Sequence, residues 1–436
     1  MSKILGIIAE YNPFHNGHLY HLETSKKLTN CDFSVAIISG NFTQRGSTSI
    51  IDKWSRTKMA IQNGIDLVIE LPVLYSISSA ENFADGAVKI LNSLGVIDYL
   101  SFGSETSNIR VLENIANILY DEPTKYKNLL SDELNKGLSF PKSRENALLG
   151  YIKNDNLLKN DKLDFEEYKK ALSSPNNILG IEYLKALKKY NSSIQPVCIS
   201  RFATNYNSTD LSKSNNSTSN CNMENCNLQN FASATAIRKL VKNKDFNTIK
   251  SVIPEKSYSI LINCLTNGTI VPDLNCFEKE IIYNLRKMNI EEIANLPDVS
   301  EGLEFSIKKA ANSCNTLNNF LDIVKSKRYT ITRLQRILLY ALLNISKEDM
   351  QLSKKIEKPY IRILGFNDNG KKIVSKIAKN HPELALITSV KKFIDNNSNI
   401  DLQNMFKKDT FATDVYSLAF EKTSFANLDF KNIVIN

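Results

Sequence analysis

Short apolar runs alternate with amphipathic stretches through the first hundred residues. Lys3 to Ala9, Phe33 to Ser39, Ile65 to Pro72 and Tyr99 to Gly103 read as strands, the third stopped by its proline. Between them, His18 to Leu28, Lys53 to Asn63 and Ala80 to Leu94 carry apolar residues at helical spacing, and Gly40 to Gly46 is a loop. Strands alternating with helices imply a parallel sheet with right-handed crossovers. Ligands of such sheets bind at the carboxyl ends of the strands. The most unusual residues of this part, at 10–18, 40–46, 70–72 and 103–105, fall at those ends.

The pattern then changes. Residues 107–172 read as helical and charged, and Ile194 to Ser200 as a further strand. The tract 205–230 is rich in Asn and Ser and holds too few apolar residues to order itself, so a flexible loop is expected there. Order resumes at Phe231 to Lys242. From about Asp245 the helices carry basic faces, and after Tyr360 a mixed tail begins with the strand Ile361 to Phe366. The expected organisation is an α/β domain over 1–244, a helical region over 245–360 and a small α/β tail over 361–436. There is no internal repeat.

Composition narrows the class. The chain is 42% hydrophobic and 23% charged over 436 residues, which predicts a soluble globular protein of two or three units. No run of 18 apolar residues predicts a membrane helix, and the start is too soon acidic for a signal peptide. The seven cysteines form no CxxC pair, so a reducing cytoplasm is expected and a zinc site is not, Cys221 and Cys226 included. A net charge of +9 permits a polyanionic partner without requiring one.

Three of the four histidines, His15, His18 and His21, fall within seven residues. His15 and His18 bracket Asn16-Gly17 where a strand runs into a helix. A helix start offers unpaired N–H groups and a positive dipole end, which suit phosphate. Gly17 removes a side chain where a nucleotide approaches the backbone. Two imidazoles can donate hydrogen bonds to phosphoryl oxygens. The plainer alternatives are a helix start that happens to hold histidines, or a metal pair, although such pairs more often stand at i, i+4 on a formed helix.

The string Glu10-Tyr11-Asn12-Pro13-Phe14-His15-Asn16-Gly17-His18 resembles the first motif of the HxGH nucleotidyltransferase superfamily. Ser233-Ala234-Thr235-Ala236-Ile237-Arg238 fits its second, a short loop leading into a helix. With the segments 39–46, 53–60, 66–72, 102–105 and 175–180, the chain resembles the bacterial tRNA(Met) cytidine acetate ligases. The likeness is dense over 3–240 and looser beyond, including 300–304 and 325–329. The tract 205–230 looks like an insertion.

That resemblance implies a Rossmann-like sheet binding ATP along Ile7, Ile8, Ala9, Glu10, Tyr11, Asn12, Pro13, Phe14, His15, Asn16, Gly17, His18, Leu19 and Tyr20. Gly103, Asn176 and Arg201 would complete the pocket, and Ser233 would cap the second motif's helix. A helix cap is the alternative role for Asn176, and a surface ion pair for Arg201. His15, His18 and Arg238 form the implied electrostatic group, with Lys53 and Arg56 as lesser candidates. Acetate and ATP would give an acyl-adenylate by direct displacement, and an amine of elongator tRNA(Met), N4 of the wobble cytidine, would accept the acetyl group. Mg2+ is expected on the phosphates, yet no carboxylate cluster marks a place for it. Neither a resident metal site, a membrane nor DNA is expected. Two other readings stay open: a nucleotidyltransferase making a dinucleotide or CDP-type cofactor, and a non-catalytic tRNA- or ribosome-binding protein.

Past residue 300, Lys325, Lys327, Arg328, Tyr329, Arg333 and Arg336 interleave cations with a ring able to stack on a base. Arg333 and Arg336 are three apart and share a helical face. They are the candidate RNA-binding residues. A solvated helix face is the plain alternative.

Overall fold

Five parallel strands carry the molecule: β1 (Ile4–Ala9), β2 (Phe33–Ser39), β5 (Leu67–Leu71), β6 (Tyr99–Ser104) and β7 (Gln195–Ser200). A two-residue hairpin, β3 (Phe42–Thr43) with β4 (Ser47–Thr48), stands apart from them. The main sheet is completed by β8 (Ile361–Phe366) and β9 (Leu386–Ile387), in the order β7-β6-β1-β2-β5-β8-β9. The computed structural model describes residues 2–106, 108–154, 164–200, 231–422 and 424–432. Arg201, Cys221, Cys226 and the tract 205–230 lie outside the described residues.

Alternation along each strand divides the core between the two faces of the sheet. Ile4, Ile8, Val35, Ile37, Leu67 and Ile69 pack into one cluster. Leu5, Ile7, Ala36, Ile38 and Val68 pack into the other. A sheet covered on both faces needs apolar residues at successive positions, which is why these strands read as continuous runs.

The expected elements form with their ends shifted by a residue or two. The helices following β1, β2 and β5 run Asn16–Thr29, Lys53–Gln62 and Ala80–Ser93, and the last two are capped by Asp52 and Ser79. The expected loop at 40–46 contains β3. The tail departs most from expectation. Its strand β8 lies antiparallel beside β5, with Glu70 opposite Arg362, so the chain returns from the helical region into the first sheet. An apolar run encodes that it will be a strand but not which edge it joins. Among the described residues, no helix is long and apolar enough to cross a membrane.

Candidate active site

The first motif folds into a lock made of its own histidines. The N–H of Gly17 donates to His15 Nδ1 at 3.0 Å, and the N–H of His15 donates to His18 Nδ1 at 3.2 Å. The two rings serve as the capping box of helix Asn16–Thr29 and stack at 3.7 Å between centroids. With both Nδ1 atoms accepting, each neutral ring carries its proton on Nε2 and presents a donor there. Tyr11 meets His18 edge-on at 4.9 Å, and Phe14 packs on Tyr11 at 4.8 Å. Gly17 has a more local reason than nucleotide approach: a Cβ there would stand 2.9 Å from the His15 ring.

The second motif meets the first directly. Ser233 accepts the N–H of Ala236 at 3.1 Å and caps helix Ala234–Lys242. Arg238, on that helix, donates through Nη1 to the carbonyl of Asn12 at 2.9 Å and through Nη2 to Thr235 Oγ1 at 3.1 Å. Asn12 in turn accepts the N–H of Ile50 at 2.7 Å. Two helix starts therefore converge on one place at the carboxyl end of β1.

A cavity of about 260 Å³ opens there. Ile7 to Asn12, His15, Gly17, His18, Tyr20, Gly103, Asn176, Ser233 and Arg238 line it, fourteen of the implied site residues. Pro13, Phe14, Asn16 and Leu19 do not. Phe14 is fully buried behind the rings, and Asn16 donates to the carbonyl of Ser251 at 3.3 Å. Asn176 donates to Glu105 at the end of β6 from the first turn of helix Pro175–Lys189.

Lys53 and Arg56 take no place at the cavity. Both are fully buried. Lys53 Nζ holds Glu70 at 2.8 Å and Asp429 at 2.8 Å. Arg56 donates to the carbonyls of Glu10 at 2.7 Å, Ser39 at 2.9 Å and Gly40, tying together the ends of β1 and β2. The correction is one of partners: these cations are spent on the protein's own oxygens and cannot also serve phosphate.

The candidate RNA stretch divides as well. Lys325, Lys327 and Arg328 are exposed, and Arg328 pairs with Glu301 at 3.0 Å. Tyr329 is half-buried under Arg333, whose guanidinium donates to the carbonyl of Asp298 at 2.7 Å. Arg336 is 8% exposed and pairs with Asp298 at 2.8 Å. The shared face of Arg333 and Arg336 thus turns inward to loop 298–301.

The chain matches the model of the HIGH Nucleotidyl Transferase family over residues 2–430. It is 46% identical to the tRNA(Met) cytidine acetate ligase of Thermoanaerobacter sp. (strain X514) over 428 residues, 98% of each chain. With that of Caldanaerobacter subterraneus subsp. tengcongensis it shares 45% over 434 residues, 99% of each. The chain belongs to the tRNA(Met) cytidine acetate ligase family. Its fold is similar, with a TM-score of 0.87 and 33% identity over all of both chains, to the crystal structure of Thermotoga maritima TmcAL bound with alpha-thio ATP (Form II).

Several residues of the cavity were not among the implied site residues. Gln44 and Arg45 project from the β3–β4 turn, which closes with Gly46 in the left-handed region at φ +75°. A Cβ at Gly46 would stand 2.5 Å from the backbone N of Arg336, so this turn rests on helix Ile331–Leu343. Their position after β2 was the available signal. Leu179 and Tyr183 follow Asn176 at helical spacing on helix Pro175–Lys189 and so share its cavity face. His21 lies one turn beyond His18.

Proposed function

We propose that this ligase joins acetate to ATP and passes the acetyl group to N4 of the wobble cytidine of elongator tRNA(Met). The observation that carries the reading is the convergence of two capped helix starts, the stacked histidines and Arg238 on one cavity at the strand ends. Positive dipole ends and fixed N–H donors favour an anionic triphosphate there. Membership of the family supplies the acid and the tRNA.

In the activation step a carboxylate oxygen of acetate forms a bond to the α-phosphorus and pyrophosphate leaves. His15 and His18 present Nε2–H donors to the phosphoryl oxygens, and Arg238, steadied on Asn12, offsets the developing negative charge. The work is positioning and charge stabilisation, with no covalent enzyme intermediate. Among the described residues no group of three or more His, Cys, Asp or Glu side chains would hold a metal ion. A protein-held Mg2+ finds no cage there, and the ion belongs to this reading as the companion of the triphosphate.

The test is pyrophosphate release from ATP with and without acetate, and with and without the tRNA. Acetate-dependent release with N4-acetylcytidine in the product tRNA is expected. Turnover that needs a phosphorylated small acceptor instead would point to a cofactor-making nucleotidyltransferase, and no turnover would point to a binding protein. Either result sinks the ligase reading.

A further inference from the structure

We propose that Glu10 accepts the proton of the incoming nucleobase amine in the transfer step, an assignment that rests on the ligase reading above. Among the described residues Glu10 is the cavity's one carboxylate. It follows β1 directly, and both its ends are fixed: Arg56 Nη1 holds its carbonyl at 2.7 Å, and its Oε1 accepts the N–H of Gln44 at 3.0 Å. No described residue donates to Oε2. A carboxylate beside an anionic triphosphate and an anionic acid hinders the binding of both. Its presence there calls for a step in which a cationic or proton-losing group approaches.

Two of the cavity's other proton-bearing groups are set as donors. His15 and His18 accept backbone N–H bonds at Nδ1, so their remaining nitrogens carry protons already. His21 is tied through Nε2 to a pair of serines. Ser25 spends its hydroxyl proton on the carbonyl of His21 at 2.6 Å, so Ser101 supplies the proton of their 2.7 Å contact. Ser101 then accepts from His21 Nε2 at 3.1 Å. Tyr183 is no base, since burial, reinforced by Glu10, pushes its phenol still higher above its usual range. Glu10 Oε2 is a carboxylate oxygen on the cavity to which no described residue donates.

The chemistry requires such a group. The exocyclic amine of cytosine shares its lone pair with the ring and is a weak nucleophile. Its nitrogen becomes acidic as the bond to the acyl carbon forms. In the proposed step N4 attacks that carbon, the carbon–oxygen bond to AMP breaks with its electron pair leaving on the phosphate, and one N4 proton passes to Glu10 Oε2. Water takes the proton from Glu10 once AMP has gone, and the amide keeps the other.

Glu10→Gln retains the shape and the oxygen that accepts from Gln44. Three measurements are made on the full chain: single-turnover transfer from synthetic acetyl-adenylate to an elongator tRNA(Met) transcript, acetate-dependent ATP–pyrophosphate exchange, and thermal melting. Transfer is expected to fall about 10²- to 10⁴-fold, while exchange falls less than about tenfold. Glu10→Asp, which withdraws the base without removing it, is expected to recover part of the transfer. The proposal is overturned if Glu10→Gln transfers at the wild-type rate, if exchange falls as far as transfer, or if Glu10→Asp is no faster than Glu10→Gln. Failure of the wild type to transfer from acetyl-adenylate would instead sink the ligase reading, and this role with it.

Discussion

Two groups of basic side chains gather at the same strand ends and are put to opposite uses. His15, His18 and Arg238 line the cavity. Lys53 and Arg56 begin the next helix and are sealed beneath it, Lys53 against Glu70 and Asp429, Arg56 against the carbonyls of Glu10, Ser39 and Gly40. The first group faces the cavity, and the second fixes the loops that the first stands on. What seals the second group is a full set of oxygens from elsewhere in the chain. Asp429 comes from the far C-terminal tail and the carbonyls from two strand ends, and a motif read locally contains neither.

The largest effect should come from breaking the sealed group. Burial alone would lower the Lys53 pKa, but Asp429 and then Glu70 more than offset this and raise it, so the residue stays charged. Lys53→Met would leave two carboxylates buried, with Arg362 at 3.6 Å from Asp429 as the nearest remaining cation. Loss of one partner from such a buried set costs about 3–5 kcal/mol, a large part of a typical total stability of about 5–15 kcal/mol. Urea denaturation measures it. His18→Ala should do the reverse. Acetate-dependent exchange should fall about 10²- to 10³-fold, with a far smaller shift in the denaturation midpoint than Lys53→Met. A Lys53→Met protein that is as stable as wild type yet inactive would erase the distinction.

The strands and helices of the N-terminal half were legible because their signals are local: apolar runs, helical spacing, and a cap residue ahead of Lys53 and of Ala80. The cavity was half legible. Residues on the two motifs could be read, since a motif is a contiguous string with its own geometry. Tyr183 and Gln44 reach the cavity through packing, and Arg336 is withdrawn from solvent by Asp298, thirty-eight residues upstream. The place of β8 was not legible for the same reason. Its pairing with β5 is a long-range contact, and the apolar run Ile361 to Phe366 would read alike on either edge of a sheet.

A third buried acid sharpens the contrast, because among the described residues no cation pairs with it. Asp409, on helix Ile400–Ser417, accepts the N–H of Val73 at 2.7 Å and the hydroxyl of Tyr360. Burial first, and then the charge of Glu70, push its pKa up to about 8. Unfolded, it would titrate near 4. The native protein therefore holds one more proton than the unfolded chain between about pH 4 and 8, so this contribution to stability is full below pH 4 and is lost as pH rises through 8. Asp409→Asn can keep both contacts, its oxygen accepting from Val73 and its NH₂ donating to Tyr360. Its stability relative to wild type should climb from pH 4 to pH 8 and level off above. A difference that does not change with pH would mean that Asp409 is ionised in the fold.

The smallest effect on the fold, and the one that locates the RNA surface, separates exposed cations from spent ones. Lys325 and Lys327 are exposed, so each can neutralise a phosphate without first breaking an internal bond. Replacing both with alanine should shift stability by no more than about 0.5 kcal/mol. The same change should flatten the salt dependence of tRNA binding by roughly one unit of slope for each phosphate left without its cation. Arg336→Ala should behave oppositely. It removes the pair with Asp298, at a cost of about 1–3 kcal/mol, and leaves the salt slope where it was, because its charge was already committed. Filter binding across a salt series, beside denaturation of the same three proteins, reads both quantities. If the double lysine variant keeps the wild-type slope, the stretch at 325–328 is a solvated surface. If Arg336→Ala flattens the slope, the Asp298 pair opens on contact with RNA, and burial in the free protein was a poor guide to which cations the tRNA meets.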